Sequence, residues 1–282
     1  MEFREENLKS LWRPDQTTDK FSMGQVTIVG GGELFHGAPI LAIKGTSRLV
    51  GMVYACLLGA QRNVLDKVKG AIGAFIAVNI DEVDDYIKKS DVVLIGPGMM
   101  RNRYEKDGFV CDDAGRETAD ISKRLIRNNK DKLWLIDGGS LQVLHKEDLP
   151  KGAVITPNRK EMELLFGVKI EKIKIEDLEK LARDFNITIL HKGEMSVATD
   201  GVETMTISGG DLGLVKGATG DIIAGIAAGL MVHNSKVLSL AAASFLVKKA
   251  SERLAKKYGQ MYNGDDLVEE ARIVYGELVN IA

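Results

Sequence analysis

Short apolar runs rich in β-branched residues alternate along the chain with longer amphipathic stretches. The apolar runs show little polar alternation, which is typical of parallel strands covered on both faces. The predicted strands are Gln25–Val29, Ala74–Val78, Val92–Ile95, Leu133–Ile136, Ala153–Ile155 and Ile187–Leu190. The predicted helices are Ala38–Leu58, Glu117–Asn128, Arg159–Phe166, Ile175–Phe185, Asp221–Val232, Lys236–Tyr258 and Asp265–Val279. This alternation predicts an α/β fold with a doubly wound, mostly parallel sheet.

A hairpin is predicted over Ser196–Ile207, because Asp200 and Gly201 form a favoured turn between two short apolar segments. No Pro-rich linker and no internal repeat divides the 282 residues. We therefore expect a short N-terminal segment, 1–19, followed by a single domain over 20–282.

Composition and charge exclude several classes of function. The formal net charge is −2, so the chain lacks the basic field expected of a nucleic-acid partner. The cationic stretch "KKASERLAKKYG", 248–259, is predicted to be a solvated helix face with charge pairs four residues apart. No run reaches the roughly 18 apolar residues that a membrane span requires. The charged N-terminus is not a secretory signal, and Cys56 and Cys111 lack metal-ligand spacing, so the expected location is the reducing cytoplasm.

Turns marked by glycine or proline follow five of the predicted strands. They read "IVGGGELFHGAP", "IGPGMM", "IDGGS", "ITPNRKE" and "LHKGE". Open α/β sheets bind ligands at the carboxyl ends of their strands. Glycine and proline are also ordinary turn residues, so each turn alone is a weak signal. The five together favour a binding site at this edge of the sheet.

A single acid, Asp221, stands in the stretch "KGATGDIIAGIAAGL", Lys216–Leu230. A helix N-terminus offers unpaired N–H groups and a partial positive charge, and glycines let a phosphate approach them closely. Asp221 is therefore either a helix-stabilising acid or a general base beside an anion-binding loop. The glycine spacing favours the base. Gly225 and Gly229 are predicted to let the helix pack closely on the sheet.

This stretch resembles the anion-hole motif of the ribokinase-like superfamily. It is closest to the NAD(P)H-hydrate dehydratases, whose version reads roughly K-G-G-[ST]-G-D-V-L-A-G-I. Four further segments resemble that family in the same order: "GQVTIVGGGELFHGAPILA", "VVLIGPGM", "ITPNRKEMELLFG" and "ILHKGEMSVATDG". The resemblance covers nearly the whole chain. It implies a ribokinase-like three-layer α/β/α sandwich, and makes the domain over 20–282 a catalytic one.

The resemblance implies an enzyme that restores NADH or NADPH from the hydrated cofactor. The ring hydroxyl of the hydrate would attack the terminal phosphoryl group of ATP or ADP, and the phosphorylated hydroxyl would then leave by elimination. Mg²⁺ would assist the transfer. Hydrated NADH or NADPH would be the substrate, no nucleic acid or membrane would be bound, and the chain would associate as a homo-oligomer.

Site residues are carried over from matching positions. Asp221 would be the base, and Glu161 would support Mg²⁺ through water. The residues implied for the anion hole are Gly217, Ala218, Thr219 and Gly220. Those implied for nucleotide binding are Lys192, Gly193, Lys216 and Asn158. Those implied for substrate binding are Ala38, Gly98, Asp137 and His36.

The chain departs from the family pattern at two loops. Where the family usually has D-A-D-A-L-N, this chain reads "DGGSLQ", so Gly139 replaces the second acid and Gln142 the asparagine. Asn158 stands where the dehydratases usually have histidine, and "NRKE" is closer to the sugar and vitamin kinases of the superfamily. The alternative function is therefore a ribokinase-like kinase acting on a hydroxymethyl-pyrimidine or a sugar alcohol. A nucleotide-binding protein without turnover is the third hypothesis.

Overall fold

The computed structural model describes residues 1–59, 62–101, 103–105, 108–110, 112–167 and 174–280. Cys111 lies outside the described residues. Across these ranges, every helix is too short or too polar to cross a bilayer.

The strands and helices follow one another with short connections. The strands are β1 (Gln25–Gly30), β2 (Met52–Leu57), β3 (Ile76–Ala77), β4 (Val92–Ile95), β5 (Arg103–Glu105), β6 (Gly108–Val110), β7 (Leu133–Ile136), β8 (Val154–Ile155), β9 (Thr188–His191), β10 (Ser196–Thr199) and β11 (Thr204–Ile207). The helices are α1 (Gly37–Thr46), α2 (Arg62–Ala71), α3 (Val83–Lys89), α4 (Asp113–Asn128), α5 (Gly138–Val143), α6 (Arg159–Phe166), α7 (Ile175–Phe185), α8 (Thr219–Leu230), α9 (Lys236–Tyr258) and α10 (Gly264–Asn280).

In the described part of the chain, nine strands form one sheet in the order β11-β10-β9-β8-β7-β4-β1-β2-β3, and β5 pairs with β6 apart from it. The strands from β9 to β3 in that order run parallel, whereas β10 and β11 pair antiparallel at one edge. Alternate residues face opposite layers: Val92 and Leu94 pack with α1, α8, α9 and α10, whereas Val93 and Ile95 pack with α3, α4, α6 and α7. The predicted three-layer α/β/α sandwich is confirmed.

The helix predicted over Ala38–Leu58 is wrong in its second half. The helix ends at Thr46, and the chain turns into the parallel strand β2. Gly51 allows this turn, because a Cβ there would lie 1.9 Å from the backbone oxygen of Lys20. The residues "MVYACL" then pair with β1 on one side and β3 on the other. These apolar residues, two of them β-branched or aromatic, fit a strand with a neighbour on each side.

The predicted hairpin is present as β10 and β11, with Gly201 in the left-handed conformation at the turn (φ 89°). The N-terminal residues pack against this edge of the sheet, where the backbone N–H of Phe3 donates to the oxygen of Thr206 at 2.8 Å. Phe3, Leu8 and Leu11 are buried in the same core cluster as the sheet. The division of the chain at residue 20 stays a prediction.

Candidate active site

The carboxyl ends of the parallel strands open into a cavity of about 1040 Å³. It brings together all but one of the residues implied by the sequence. Those that line it are Ala38, Gly98, Asp137, Asn158, Glu161, Lys192, Gly193, Lys216, Gly217, Ala218, Thr219, Gly220 and Asp221. His36 is the exception: it is exposed, directly before α1, and does not line the cavity.

Lys192, directly after β9, is at the centre of a buried ionic cluster. Its Nζ lies 2.7 Å from Oδ1 of Asp137 and 3.9 Å from Oε2 of Glu161. Thr156 donates to the same Asp137 oxygen at 2.7 Å. Burial opposes the charge of Lys192, but attraction to Asp137 and Glu161 outweighs burial and raises the pKa of the ammonium group. Lys192 therefore brings a positive charge to the cavity, beside two carboxylates.

Glu161 is fixed by a reciprocal cap at the start of α6. Asn158 Oδ1 accepts from the N–H of Glu161 at 3.0 Å, and the N–H of Asn158 donates to Oε2 of Glu161 at 2.9 Å. Gln142 donates to the other oxygen, Oε1, at 3.3 Å. Burial raises the pKa of Glu161, and attraction to Lys192 opposes the rise. The Asn158 oxygen is thus engaged in the helix cap, and both carboxylate oxygens of Glu161 already have protein donors.

Asp221 occupies the first turn of α8 and faces the same cavity. Burial and repulsion from Asp137 raise the pKa of Asp221 to about 7, although attraction to Lys192 opposes them. A carboxylate with a pKa near neutrality is well matched to accept a proton from a hydroxyl group. The geometry and the acidity of Asp221 therefore both suit a general base.

The residues that precede Asp221 bring backbone N–H groups and a cation to one place. Ala218 has φ 79°, a left-handed conformation that costs a residue with a Cβ about 1–2 kcal/mol. A Cβ at Gly220 would lie 3.0 Å from Nζ of Lys192, so glycine leaves room for the ammonium group over the helix start. Lys216, by contrast, donates from Nζ to the backbone oxygens of Gln260 and, at 2.6 Å, Tyr262.

The packing of α8 differs from the prediction that its glycines lie on the sheet. A Cβ at Gly225 would lie 2.4 Å from the backbone oxygen of Ala42 in α1. Thr46 of α1 also donates to the Gly225 oxygen at 2.7 Å. Gly225 therefore brings α8 close to α1, and this contact fixes the start of α8 beside the cavity.

The altered "DGGS" loop has a steric explanation. A Cβ at Gly139 would lie only 2.2 Å from the backbone oxygen of Met99 in the loop after β4. The second acid of the family pattern therefore has no room here without a shift of one loop. Gln142, the other departure, contacts Glu161, so this substitution has become part of the ionic cluster.

Two buried polar residues near the cavity escaped the sequence analysis. Apart from its position before Pro157, Thr156 has no sequence feature that would predict a role in the site. Lys248 was predicted on a solvated helix face, and that prediction is wrong: the residue is 4% exposed. Its spacing from Ser244 and Ser251 places it on the buried face of α9. That helical periodicity was the signal that would have found it.

Comparison with known proteins gives a consistent match over most of the chain. The family model described as NAD(P)H-hydrate dehydratase matches residues 26–272. The ADP-dependent (S)-NAD(P)H-hydrate dehydratase of Cenarchaeum symbiosum is 36% identical over 254 residues, which cover 87% of this chain and 86% of that protein. The bifunctional NAD(P)H-hydrate repair enzyme of Methanocaldococcus jannaschii is 27% identical over 275 residues, or 94% of this chain. This chain spans 50% of that relative and 49% of its counterpart from Archaeoglobus fulgidus.

Solved structures agree in fold. The ADP/ATP-dependent NAD(P)H-hydrate dehydratase from Bacillus subtilis, co-crystallized with ATP and Mg²⁺, superposes with a TM-score of 0.80 at 19% identity and covers 98% of both chains. A ribokinase from Thermotoga maritima superposes with a TM-score of 0.54 at 11% identity, covering 89% of this chain and 99% of that one. At these identities the likeness concerns the fold alone.

Proposed function

The chain belongs to the NAD(P)H-hydrate dehydratase family, and from that premise we propose that it uses ADP or ATP to dehydrate hydrated NADH or NADPH. One observation carries the proposal. Asp221, with its pKa raised to about 7, lines the same cavity as Lys192 and the Gly217–Gly220 loop. A proton acceptor and an anion-binding loop therefore face one space large enough for both a nucleotide and a second ligand.

The residues suit a phosphoryl transfer followed by an elimination. Asp221 takes the proton from the ring hydroxyl, whose oxygen bonds to the terminal phosphorus of the nucleotide. The bond from that phosphorus to its bridging oxygen breaks, and AMP or ADP leaves. Lys192 and the amides of Gly217–Gly220 stabilise the negative charge on the transferring group. The ring then loses a proton and expels inorganic phosphate, which restores the reduced nicotinamide.

The carboxylates fit Mg²⁺ that is carried by phosphate oxygens rather than caged by the protein. Both oxygens of Glu161 accept protein hydrogen bonds, and Asp137 is paired with Lys192. Among the described residues, no group of three or more His, Cys, Asp or Glu side chains could hold a metal ion. Mg²⁺ commonly keeps several waters and binds substrate phosphates through one or two carboxylates. Glu161 would therefore support the ion through water, and the ion would neutralise phosphate charge.

The decisive experiment follows NADH absorbance. Purified protein is mixed with hydrated NADH, Mg²⁺ and either ADP or ATP. We expect NADH to return with at least one nucleotide, which also identifies the donor. Asp221→Asn should still bind nucleotide but turn over at least about 100-fold more slowly. The matched control is Asp120→Asn, an exposed position on α4, which should retain full activity.

Two other outcomes would replace the proposal. Consumption of ATP with a hydroxymethyl-pyrimidine or a sugar alcohol, without NADH return, would identify a kinase. Saturable nucleotide binding without turnover on any of these substrates would identify a binding protein. The alternative kinase shares the proposed base, so the products separate the two enzymes and the Asp221→Asn variant does not.

The proposal concerns dehydration alone, because the chain spans about half of the bifunctional relatives. The cytoplasmic location and the homo-oligomer expected from the sequence stay predictions. Cell fractionation and the mass of the purified protein in solution would test them.

A further inference from the structure

One turn of α9 holds two loop segments at the edge of the cavity. The ammonium group of Lys248 donates to the backbone oxygens of Gly193 and Gly209, each at 3.2 Å, and to that of Glu194. Gly193 and Glu194 follow β9, whereas Gly209 follows β11. One side chain thus joins two segments that are separated along the chain by a β-hairpin.

Neighbouring side chains on the same helix turn hold the second segment by its N–H groups. Glu252 Oε1 accepts from the N–H of Gly210 at 2.9 Å, and Ser251 Oγ accepts from the N–H of Asp211 at 3.0 Å. Gly209 and Gly210 have φ values of 90° and 95° and lie outside the helices and strands, whereas Asp211 begins the 3₁₀ turn and its backbone oxygen accepts from the N–H of Leu214. The conformation of Gly209 and Gly210 therefore depends on their hydrogen bonds to α9.

Both segments line the cavity next to the residues proposed for the nucleotide. Gly193 directly follows Lys192, and Gly209–Asp211 lead through the 3₁₀ turn Leu212–Val215 into the Gly217–Gly220 loop. A change in the separation of the two segments would therefore shift the proposed phosphate contacts on both sides.

Packing alone does not account for a lysine at this position. A buried ammonium group is costly unless its protons are hydrogen-bonded. The three carbonyl oxygens match the three N–H donors of a lysine. Burial lowers the pKa of Lys248, and attraction to Glu194 and Glu252 opposes the fall. An apolar side chain would fill the same space more cheaply but would not join the two segments.

We propose that Lys248 is a positioning residue for nucleotide binding, which holds the Gly193–Glu194 and Gly209–Asp211 segments at the separation that the nucleotide requires. This inference rests on the proposed function in taking the nucleotide as the phosphoryl donor. Lys248 lines the cavity, but its ammonium group donates to three backbone oxygens, so it acts on the nucleotide through the two segments. Its loss should therefore weaken nucleotide binding equally in the ground state and the transition state. The expected signature is a raised KM for nucleotide with little change in kcat.

The test uses Lys248→Met, which keeps the length of the side chain and removes the donors. We expect the Kd for ADP and ATP, measured by calorimetry, and the nucleotide KM to rise about tenfold, with kcat within about threefold of wild type. Lys256→Met, at an exposed position on the same helix, should leave all three values unchanged. A second pair uses the half-exposed Glu252: Glu252→Ala should raise Kd and KM about threefold, and Glu252→Gln, which keeps an acceptor oxygen, should restore them.

Wild-type Kd and KM in folded Lys248→Met would overturn the proposal. If that variant does not fold, wild-type values in Glu252→Ala overturn it instead. A purely structural role would lower the melting temperature of either variant without changing the Kd of the folded protein. Failure of the proposed function is separate, because the wild-type protein would then not restore NADH, whereas the nucleotide Kd series would still measure the effect of Lys248.

Discussion

Replacing Asp221 by asparagine should make the folded protein more stable while it removes the proposed activity. An aspartate has an ordinary pKa of 3.8, and burial in the cavity raises that of Asp221 to about 7. The folded protein must therefore ionise a carboxyl group in surroundings that disfavour its charge, largely because the group is buried and faces Asp137. Asparagine fills the same space without that charge.

The effect depends on pH in a defined direction. Below about pH 4 the carboxyl is protonated in both the folded and the unfolded chain, so it adds no pH-dependent difference in stability. As the pH rises from about 4 to 7, the unfolded chain releases its proton first, and the folded state becomes progressively less favoured. Above about pH 7 the destabilisation of the folded state by Asp221 reaches its full value. A pKa difference of about 3 corresponds to about 4 kcal/mol in the free energy of unfolding. Asparagine does not reproduce every contact of the carboxylate, so we expect Asp221→Asn to regain half of this free energy or more.

Thermal unfolding followed by circular dichroism, without nucleotide, measures this difference. At pH 8 a gain of about 2–4 kcal/mol corresponds to a rise in Tm of about 4–8 °C for a chain of this length. At pH 5 the gain should fall below half of that value. The exposed control Asp120→Asn should change Tm little at either pH. A Tm for Asp221→Asn at or below wild type at pH 8, or an equal gain at both pH values, would refute the assignment of a partly buried carboxylate with a raised pKa.

Further predictions concern the proposed base Asp221, the cavity residue Lys192, and the loops that contain Ala218 and Gly139. Log(kcat/KM) should rise with a slope of about one up to pH 7 and then level off as Asp221 ionises, and a flat profile would contradict its role. Lys192→Met should cost about 3–5 kcal/mol in urea unfolding, because it leaves a buried carboxylate without its cation; a loss below about 1 kcal/mol would count against the ion pair. Ala218→Gly should gain about 0.5–1 kcal/mol, since relief of the left-handed strain exceeds the added entropy of the unfolded chain. Gly139→Asp should cost more than about 2 kcal/mol because the backbone after β4 fills the space, whereas Gly37→Ala, where a Cβ meets nothing within 4 Å, should cost little.

The fold could be predicted where local pattern and burial agree. The strands Val92–Ile95 and Leu133–Ile136 have the predicted bounds, because apolar runs of that length fit a sheet covered on both faces. The strand Met52–Leu57 is an apolar run of the same kind, but the predicted helix was extended across it. Its preceding turn depends on the close approach of Gly51 to Lys20, 31 positions earlier in the chain, which a local pattern does not reveal.

The candidate site could be predicted as a set of positions but not as a set of contacts. The motifs identified Asp137, Glu161, Lys192 and Asp221 separately, and the cavity brings them together. The ion pair of Lys192 with Asp137 joins residues 55 positions apart, so only the parallel pairing of the strands creates it. Lys248 was placed on the wrong face, because a lysine in a charged stretch looks solvated until the loops that supply its acceptors are in position.

The arrangement of charges explains why Asp221 is the acid best suited to act as a base. Asp137 is in direct contact with Lys192, and Glu161 lies farther from the ammonium group but accepts hydrogen bonds from Asn158 and Gln142. Burial raises the pKa of both Glu161 and Asp221. Among the described residues, Asp221 lacks the side-chain and cap donors that engage Glu161, and burial together with repulsion from Asp137 raises its pKa to about 7. A nucleotide without a counter-ion would add negative charge and raise that pKa further. The carboxylates of this chain therefore favour a nucleotide whose charge is partly neutralised, because Asp221 then stays ionised when the substrate hydroxyl arrives.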